Sequence, residues 1–246
     1  MSEHQKKRSS RPRPSEPRAR DGGTKRRRDL EGAAVNLPNW VVEALVRVTP
    51  KERVAPALEA LGTASEALAD GRYHVAVKQG QRAKTLAPQD ATTRETLGIA
   101  LYRVGDWAEA LRELRTYRRM SGDTTHLPVE MDTLRALGRS DDVDRAWETL
   151  RERGARPAVM KEGMVVYASH LIDSGDFDGA WKLTKPKGLR NDPSEAELRL
   201  WYVAARSAAL RGDGAASRKL ADAILTADPG FPGIDELERE IAAASR

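Results

Sequence analysis

The sequence contains no cysteine, which excludes a disulfide framework, a thiolate nucleophile and a thiolate metal site. Aromatic residues make up only 5%, so any core must rest on alanine and leucine rather than on large rings. No apolar run approaches the ~18 residues that cross a membrane as a helix. The charged N-terminus has no apolar stretch behind it and does not read as a secretory signal. The cytoplasm is therefore the expected location. Histidine is scarce as well. His4, His74, His126 and His170 are the four present. None has a ligand-spaced partner on its helix, so each reads as a surface or packing residue.

Two short stretches imitate functional loops. Gly212-Asp213-Gly214-Ala215-Ala216-Ser217 echoes a nucleotide loop, but such a loop follows a strand, and here a helical pattern precedes it. Ser140-Asp141-Asp142-Val143-Asp144 is rich in carboxylates yet lacks the glycine and distal glutamate of a calcium loop; helix capping accounts for it. No nucleophile, base and orienting residue form a set. The expectation is a chain with no enzymatic activity, no cofactor and no metal.

Charge is plentiful, at 32% of residues, and unevenly placed. Residues 1–29 hold eleven Lys/Arg against four Asp/Glu, a net of +7, whereas the rest of the chain holds 31 against 33, a net of −2. Arg outnumbers Lys by 31 to 11, and alanine is abundant. This usage resembles high-GC bacterial coding, as in actinobacteria. Residues 1–35 show no hydrophobic periodicity and include Pro12, Pro14, Pro17 and Gly22-Gly23. They hold too little apolar surface to offset chain entropy, so a disordered basic tail is expected. Two readings of the tail stand. It is a solubilising segment, or Lys6, Lys7, Arg8, Arg11, Arg13, Lys25, Arg26, Arg27 and Arg28 form an electrostatic arm for RNA or the ribosome.

Beyond the tail the pattern is helical. Leu37–Val48 predicts a short helix capped by Asn36, with Trp40, Val41, Leu45 and Val48 on its apolar face. Thr49-Pro50-Lys51-Glu52 predicts a capping box, and Pro56 a kink or restart. Residues 36–56 thus read as an N-terminal cap. Glycines then mark inter-helix turns at Gly71, Gly105, Gly138, Gly175 and Gly212, spaced by 34, 33, 37 and 37. Two positions after the glycine stand Tyr73, Trp107, Phe177 and Gly214. Three further on stand the small residues Ala76, Ala110, Ala180 and Ser217, where paired helices need room. Pro128 shortens the first helix of the third unit, and Lys185-Pro186-Lys187-Gly188 ends the second helix of the fourth early. Ile234–Ala244 predicts a terminal helix with Ile234, Leu237 and Ile241 on one face.

The clearest unit is Arg94–Arg118, where Leu97-Gly98, Leu101, Ala110 and Leu114 stand at helical spacing around Gly105-Asp106. This resembles a tetratricopeptide repeat, with Arg94 in place of the first aromatic and Leu101 in place of the second. The resemblance covers about residues 57–244. It implies an all-α, tetratricopeptide-type helical-hairpin solenoid: five repeats over residues 57–230 and a capping helix in 231–246. It also implies a non-catalytic scaffold whose first helices line a groove for a segment of a protein partner. Groove candidates are Tyr102, Arg103, Arg135, Arg199, Tyr202 and Arg206. The last three share one helix face at i, i+3 and i+7, which predicts exposed side chains that receive an acidic segment. The subset of the family that clamps a C-terminal carboxylate uses Lys and Asn on its first helices. Here Leu61, Ser65, Glu95 and Ile99 occupy those places, which argues against that ligand.

Overall fold

The computed structural model describes residues 36–244; the basic-arm residues Lys6 to Arg28 and the final two residues lie outside them. Among the described residues there are twelve α-helices and no strand. In chain order they are α1 (Asn39–Val48), α2 (Lys51–Ala69), α3 (Tyr73–Leu86), α4 (Ala91–Val104), α5 (Trp107–Ser121) and α6 (Leu127–Ala136). They continue with α7 (Ser140–Arg153), α8 (Pro157–Asp173), α9 (Phe177–Thr184), α10 (Glu195–Leu210), α11 (Gly214–Ala227) and α12 (Ile234–Ala244). From α2 to α11 the helices form five consecutive hairpins, each helix packed on the next. The first helices also pack across hairpins: α2 on α4, α6 on α8, α8 on α10, and α10 on the terminal α12. Between α4 and α6 the connection is made by side-chain hydrogen bonds, Tyr102 to Asp132 and His126 to Glu95.

The turns follow from local chemistry. Gly105 has φ +80°, and the other four turn glycines also lie in the left-handed region, where a Cβ is strained. Where Asp follows the glycine, its carboxylate caps the next helix. Asp106 accepts from the Glu109 amide, Asp176 from Gly179 and Asp213 from Ala216. Where Arg72 or Arg139 follows, no side-chain cap forms. The residue five places beyond each glycine (Ala76, Ala110, Val143, Ala180 and Ser217) is fully buried in all five hairpins. Ser217 Oγ donates to the Ala205 carbonyl across its hairpin at 2.8 Å, so the echo of a nucleotide loop resolves into a helix turn. Gly98 is required by proximity: a Cβ there would stand 2.9 Å from the Leu114 side chain of α5.

The core is a series of Ala/Leu clusters in chain order. Leu37, Val41, Leu45, Leu58 and Leu61 begin it, and Trp201, Ala204, Leu220, Ile224, Leu237 and Ile241 end it. Leu134, Val143 and Trp147 hold the third hairpin. As the sequence anticipates, α6 is short with Pro128 in its first turn, α9 stops at Thr184, and α12 buries Leu237 and Ile241.

The N-terminal cap differs from expectation. Helix α1 begins at Asn39 with Pro38 at its N-cap, so Asn36 does not cap it; Asn36 Nδ2 instead donates to Glu66 Oε1 at 2.6 Å. Pro50, not Thr49, occupies the N-cap of α2. That shift of one residue takes Thr49 out of reach of the third-position amide, no capping box forms, and its hydroxyl is buried without a partner. Pro56 neither kinks nor restarts the helix, because α2 runs unbroken from Lys51 to Ala69. It sits in the second turn, where it removes a single amide bond. The apolar face of α1 is also narrower than its pattern suggests. Val41 and Leu45 are buried, but Trp40 is 63% exposed and Val48 lies open beside it. Finally, the Ser140–Asp144 cluster provides no side-chain cap to α7; Asp142 pairs with Arg139 and Arg145, and Asp144 accepts from the Tyr167 hydroxyl.

Candidate interaction surface

The six groove candidates fall on first helices, in two groups separated by α8. Tyr102 and Arg103 lie on α4 and Arg135 on α6. The Tyr102 hydroxyl donates to Asp132 Oδ2 at 2.6 Å, and its ring meets Trp107 edge-on at 5.5 Å. Arg135 donates to Asp132 Oδ1 at 2.6 Å and, across to the end of α8, to Asp173 Oδ2 at 2.9 Å. Tyr102, Asp132, Arg135 and Asp173 therefore form one polar chain over three helices. Burial, then the hydrogen bond to Asp132, pushes the Tyr102 phenol well above its ordinary range, so it remains a donor at any physiological pH. Arg103 is exposed and stacks over Tyr73 at 5.7 Å.

Arg199, Tyr202 and Arg206 share a face of α10, as i, i+3, i+7 spacing requires. Arg199 is exposed and donates to both oxygens of Glu162 on α8 at 3.0 Å. Tyr202 and Arg206 are not free side chains. Helix α12 and the segment before it cover them. Tyr202 packs against Phe231 with centroids 5.6 Å apart, and its hydroxyl donates to the Gly233 carbonyl at 3.3 Å. Arg206 makes a forked contact to Glu240 at 2.6 to 3.0 Å. That hydrogen bond raises the guanidinium pKa further. The expectation that both residues stand open for a partner is thus corrected: the terminal helix uses them for its own docking. Removing Arg206 leaves Glu240 half-buried without its partner. Arg206→Ala should lower stability by about 1–2 kcal/mol and speed amide exchange in α12 far more than in α4. Unchanged exchange in α12 would show that the fork does not hold it.

The acidic residues that complete this surface, Asp132, Asp173, Glu162 and Glu240, were not singled out from sequence. A signal existed. Tyr102–Asp132, Arg135–Asp173, Arg199–Glu162 and Arg206–Glu240 are separated by 30, 38, 37 and 34 positions, about one repeat. Opposite polarity at one repeat spacing on first helices marks them.

A second polar constellation is buried. Glu113 of α5 is 1% exposed and receives Lys84 Nζ at 2.6 Å and Arg94 Nη1 at 2.7 Å. Arg94 thus sits in an ion pair and also donates to the Pro88 carbonyl at 2.8 Å. One hairpin later, buried Glu130 accepts from Arg118 at 2.9 and 3.1 Å. Of the histidines, His74 is exposed, His126 bonds Glu95 at 2.6 Å, and His170 is buried against Tyr167; His4 lies outside the described residues. Among the described residues no group of three or more His, Asp or Glu is placed to hold a metal ion, and no helix is long and apolar enough to cross a membrane. A cleft of about 350 Å³ opens beneath Trp40 and Val48, walled by Glu95, Tyr117 and Met120.

The sequence matches no protein-family model and no curated protein.

Proposed function

We propose that the chain is a non-catalytic tetratricopeptide-type solenoid of the cytoplasm that holds a segment of a partner protein along its first helices. The observation that carries this reading is the row Tyr102, Arg103, Arg135 and Arg199. Side chains from separate helices are joined about one repeat apart into two pre-oriented groups, Tyr102 with Arg135 through Asp132 and Arg199 with Glu162. Tyr and Arg are the side chains that contribute most to protein interfaces, and internal pairing lowers the entropy lost on binding. The repeat reading itself draws support from the hairpin order, the turn glycines and the small buried residue at a fixed offset from each. Pairing also narrows the partner. An acidic segment would have to displace Asp132 or Glu162, so acidity alone does not select it. Exposed Arg103 and half-buried Tyr102 remain its points of contact.

A second reading, RNA or ribosome binding through the basic arm, is favoured by the +7 of residues 1–29. A photo-crosslinking amino acid at position 103 or 199, with position 219 on α11 as control, separates the two in nuclease-treated native lysate. A protein crosslink from 103 and 199 but not from 219 is expected. Crosslinks that vanish with nuclease, or that form equally from 219, would overturn the groove reading.

A further inference from the structure

We infer that one edge of the helical stack is a second binding surface, independent of the first-helix row, and that it takes the phosphate backbone of nucleic acid. The edge is built from the links between hairpins. Arg119 lies in the last turns of α5, Arg153 and Arg156 flank the link from α7 to α8, and Lys185 and Lys187 lie in the segment 185–194 between α9 and α10. All five are exposed, and among the described residues none has a carboxylate within 4.0 Å.

The links are neighbours in space. Thr124 Oγ1 donates to the Gly154 carbonyl at 3.3 Å, which sets the α5–α6 link against the α7–α8 link. Glu197 stands 3.4 Å from Lys161 in the second turn of α8 and 4.0 Å from Arg190, which brings the 185–194 segment to the same place. The cations therefore follow one another across three hairpins, whose helices stand about 8–10 Å apart.

Ordinary helix stabilisation does not explain them all. A cation in the last turn of α5 or α7 favours the helix dipole, which accounts for Arg119 and Arg153. Arg156 is the N-cap of α8, where positive charge opposes that dipole. Lys185 and Lys187 stand beyond the end of α9, around Pro186. Several arginines elsewhere are neutralised: Arg135, Arg151, Arg199, Arg206 and Arg218 each have a carboxylate at 2.6 to 3.0 Å. Exposed cations without a carboxylate also stand at Arg47, Arg53, Arg103 and Arg239, but on these links five follow one another, although the chain beyond residue 29 is net negative. Within four positions of the five cations the exposed carboxylates are Asp123 and Glu152, so the excess remains positive.

The chemistry selects a polyphosphate over a protein segment. Arg153, Arg156, Lys185 and Lys187 have no exposed large apolar residue among them; Val75 and Leu210 lie on other elements, and Trp40 and Val48 border only the Arg119 end of the edge, at the cleft walled by Met120. A protein segment needs an apolar or aromatic anchor to bind firmly. A phosphate backbone needs only fixed cations, whose occupation releases counterions. With neither aromatic platform nor base-reading groups, the edge binds without sequence preference.

The test uses the full chain and a labelled oligouridine of about 20 nucleotides, with a duplex of equal length alongside. One variant carries Arg153→Gln, Arg156→Gln, Lys185→Gln and Lys187→Gln. A second carries Lys25→Gln, Arg26→Gln, Arg27→Gln and Arg28→Gln and reports on the arm alone. The edge variant should lose tenfold or more in affinity near 0.15 M salt. The slope of log K against log salt should become shallower by about 3, at ~0.7 per phosphate contact. Wild-type affinity and slope in the edge variant overturn the proposal, whether or not the arm variant weakens binding. Tighter binding to polyglutamate of matched charge overturns it in favour of an acidic protein. Lysine acetylation of the wild-type chain gives a readout free of any folding defect. Oligouridine should protect Lys185 and Lys187 at least threefold more than Lys219, and equal protection would again overturn it.

Discussion

Ala110→Asp is expected to be among the most damaging single substitutions in the chain. Ala110 is 0% exposed and packs with Leu97 and Leu101 across the second hairpin. The offset from Gly105 places it where α4 and α5 come closest. A carboxylate there would be buried among apolar side chains. The cost is on the order of 3 kcal/mol or more. For a chain of this size that corresponds to a melting temperature lower by roughly 6–12 °C. Ala110→Gly separates charge from shape: it removes one methyl group and some helix propensity, and should cost about 1–2 kcal/mol. Equal melting of Ala110→Asp and wild type would contradict the hairpin register.

Removing the carboxylate of Glu113 is the second large effect. Glu113→Ala leaves Lys84 and Arg94 facing each other near a buried void. Breaking a buried pair in this way costs about 3–5 kcal/mol. The lower end is expected here, because Lys84 and Arg94 retain some contact with water. The cost belongs to the orphaned cations rather than to any large net gain from the pair. Replacing Glu113 and Arg94 together by apolar residues should therefore recover part of the loss. Thermal melting of the single and double variants measures this, and a double variant less stable than Glu113→Ala would refute it.

Acid titration gives an independent readout of Glu113. Burial by itself would raise the carboxyl, but hydrogen bonds from Lys84 and Arg94, with their charges, outweigh it and hold the pKa below the ordinary 4.5. An unfolded chain takes up this proton near the ordinary value, the folded chain only at lower pH. The stabilisation is complete above the unfolded pKa and is lost as pH falls through the folded one. The stability difference between wild type and Glu113→Gln should accordingly be constant at neutral pH and shrink below about pH 4.5.

Much of the architecture is legible because it is local. A left-handed turn depends on one residue lacking a Cβ, so Gly105 and its four counterparts mark the hairpins without reference to the rest of the chain. Ala76, Ala110 and Ala180 follow from the same logic, since two helices leaving a tight turn must be close five residues later. Caps are less legible. Thr49-Pro50-Lys51-Glu52 has the composition of a capping box, yet a helix start displaced by one residue removes the bond. Nothing within four residues decides which residue begins the helix. Trp40 shows the same limit: the period of α1 groups it with Val41 and Leu45, but the width of the buried stripe is set by α2 and α3, which cover only part of the face.

The surface depended on tertiary structure almost entirely. Tyr202 and Arg206 have the composition and spacing of a binding face, and sequence places them correctly on one side of α10. Whether that side is open is decided by α12, which returns Glu240 to Arg206 from 34 positions away. The sequence by itself determined the helices, their turns and the seam of small residues, because each rests on the steric demands of a residue and its near neighbours. Only the tertiary structure decided which charges are spent and which are free. The offset between stacked hairpins brings Asp173 to Arg135, Glu162 to Arg199 and Glu240 to Arg206, and that offset is set by packing between residues a full repeat apart.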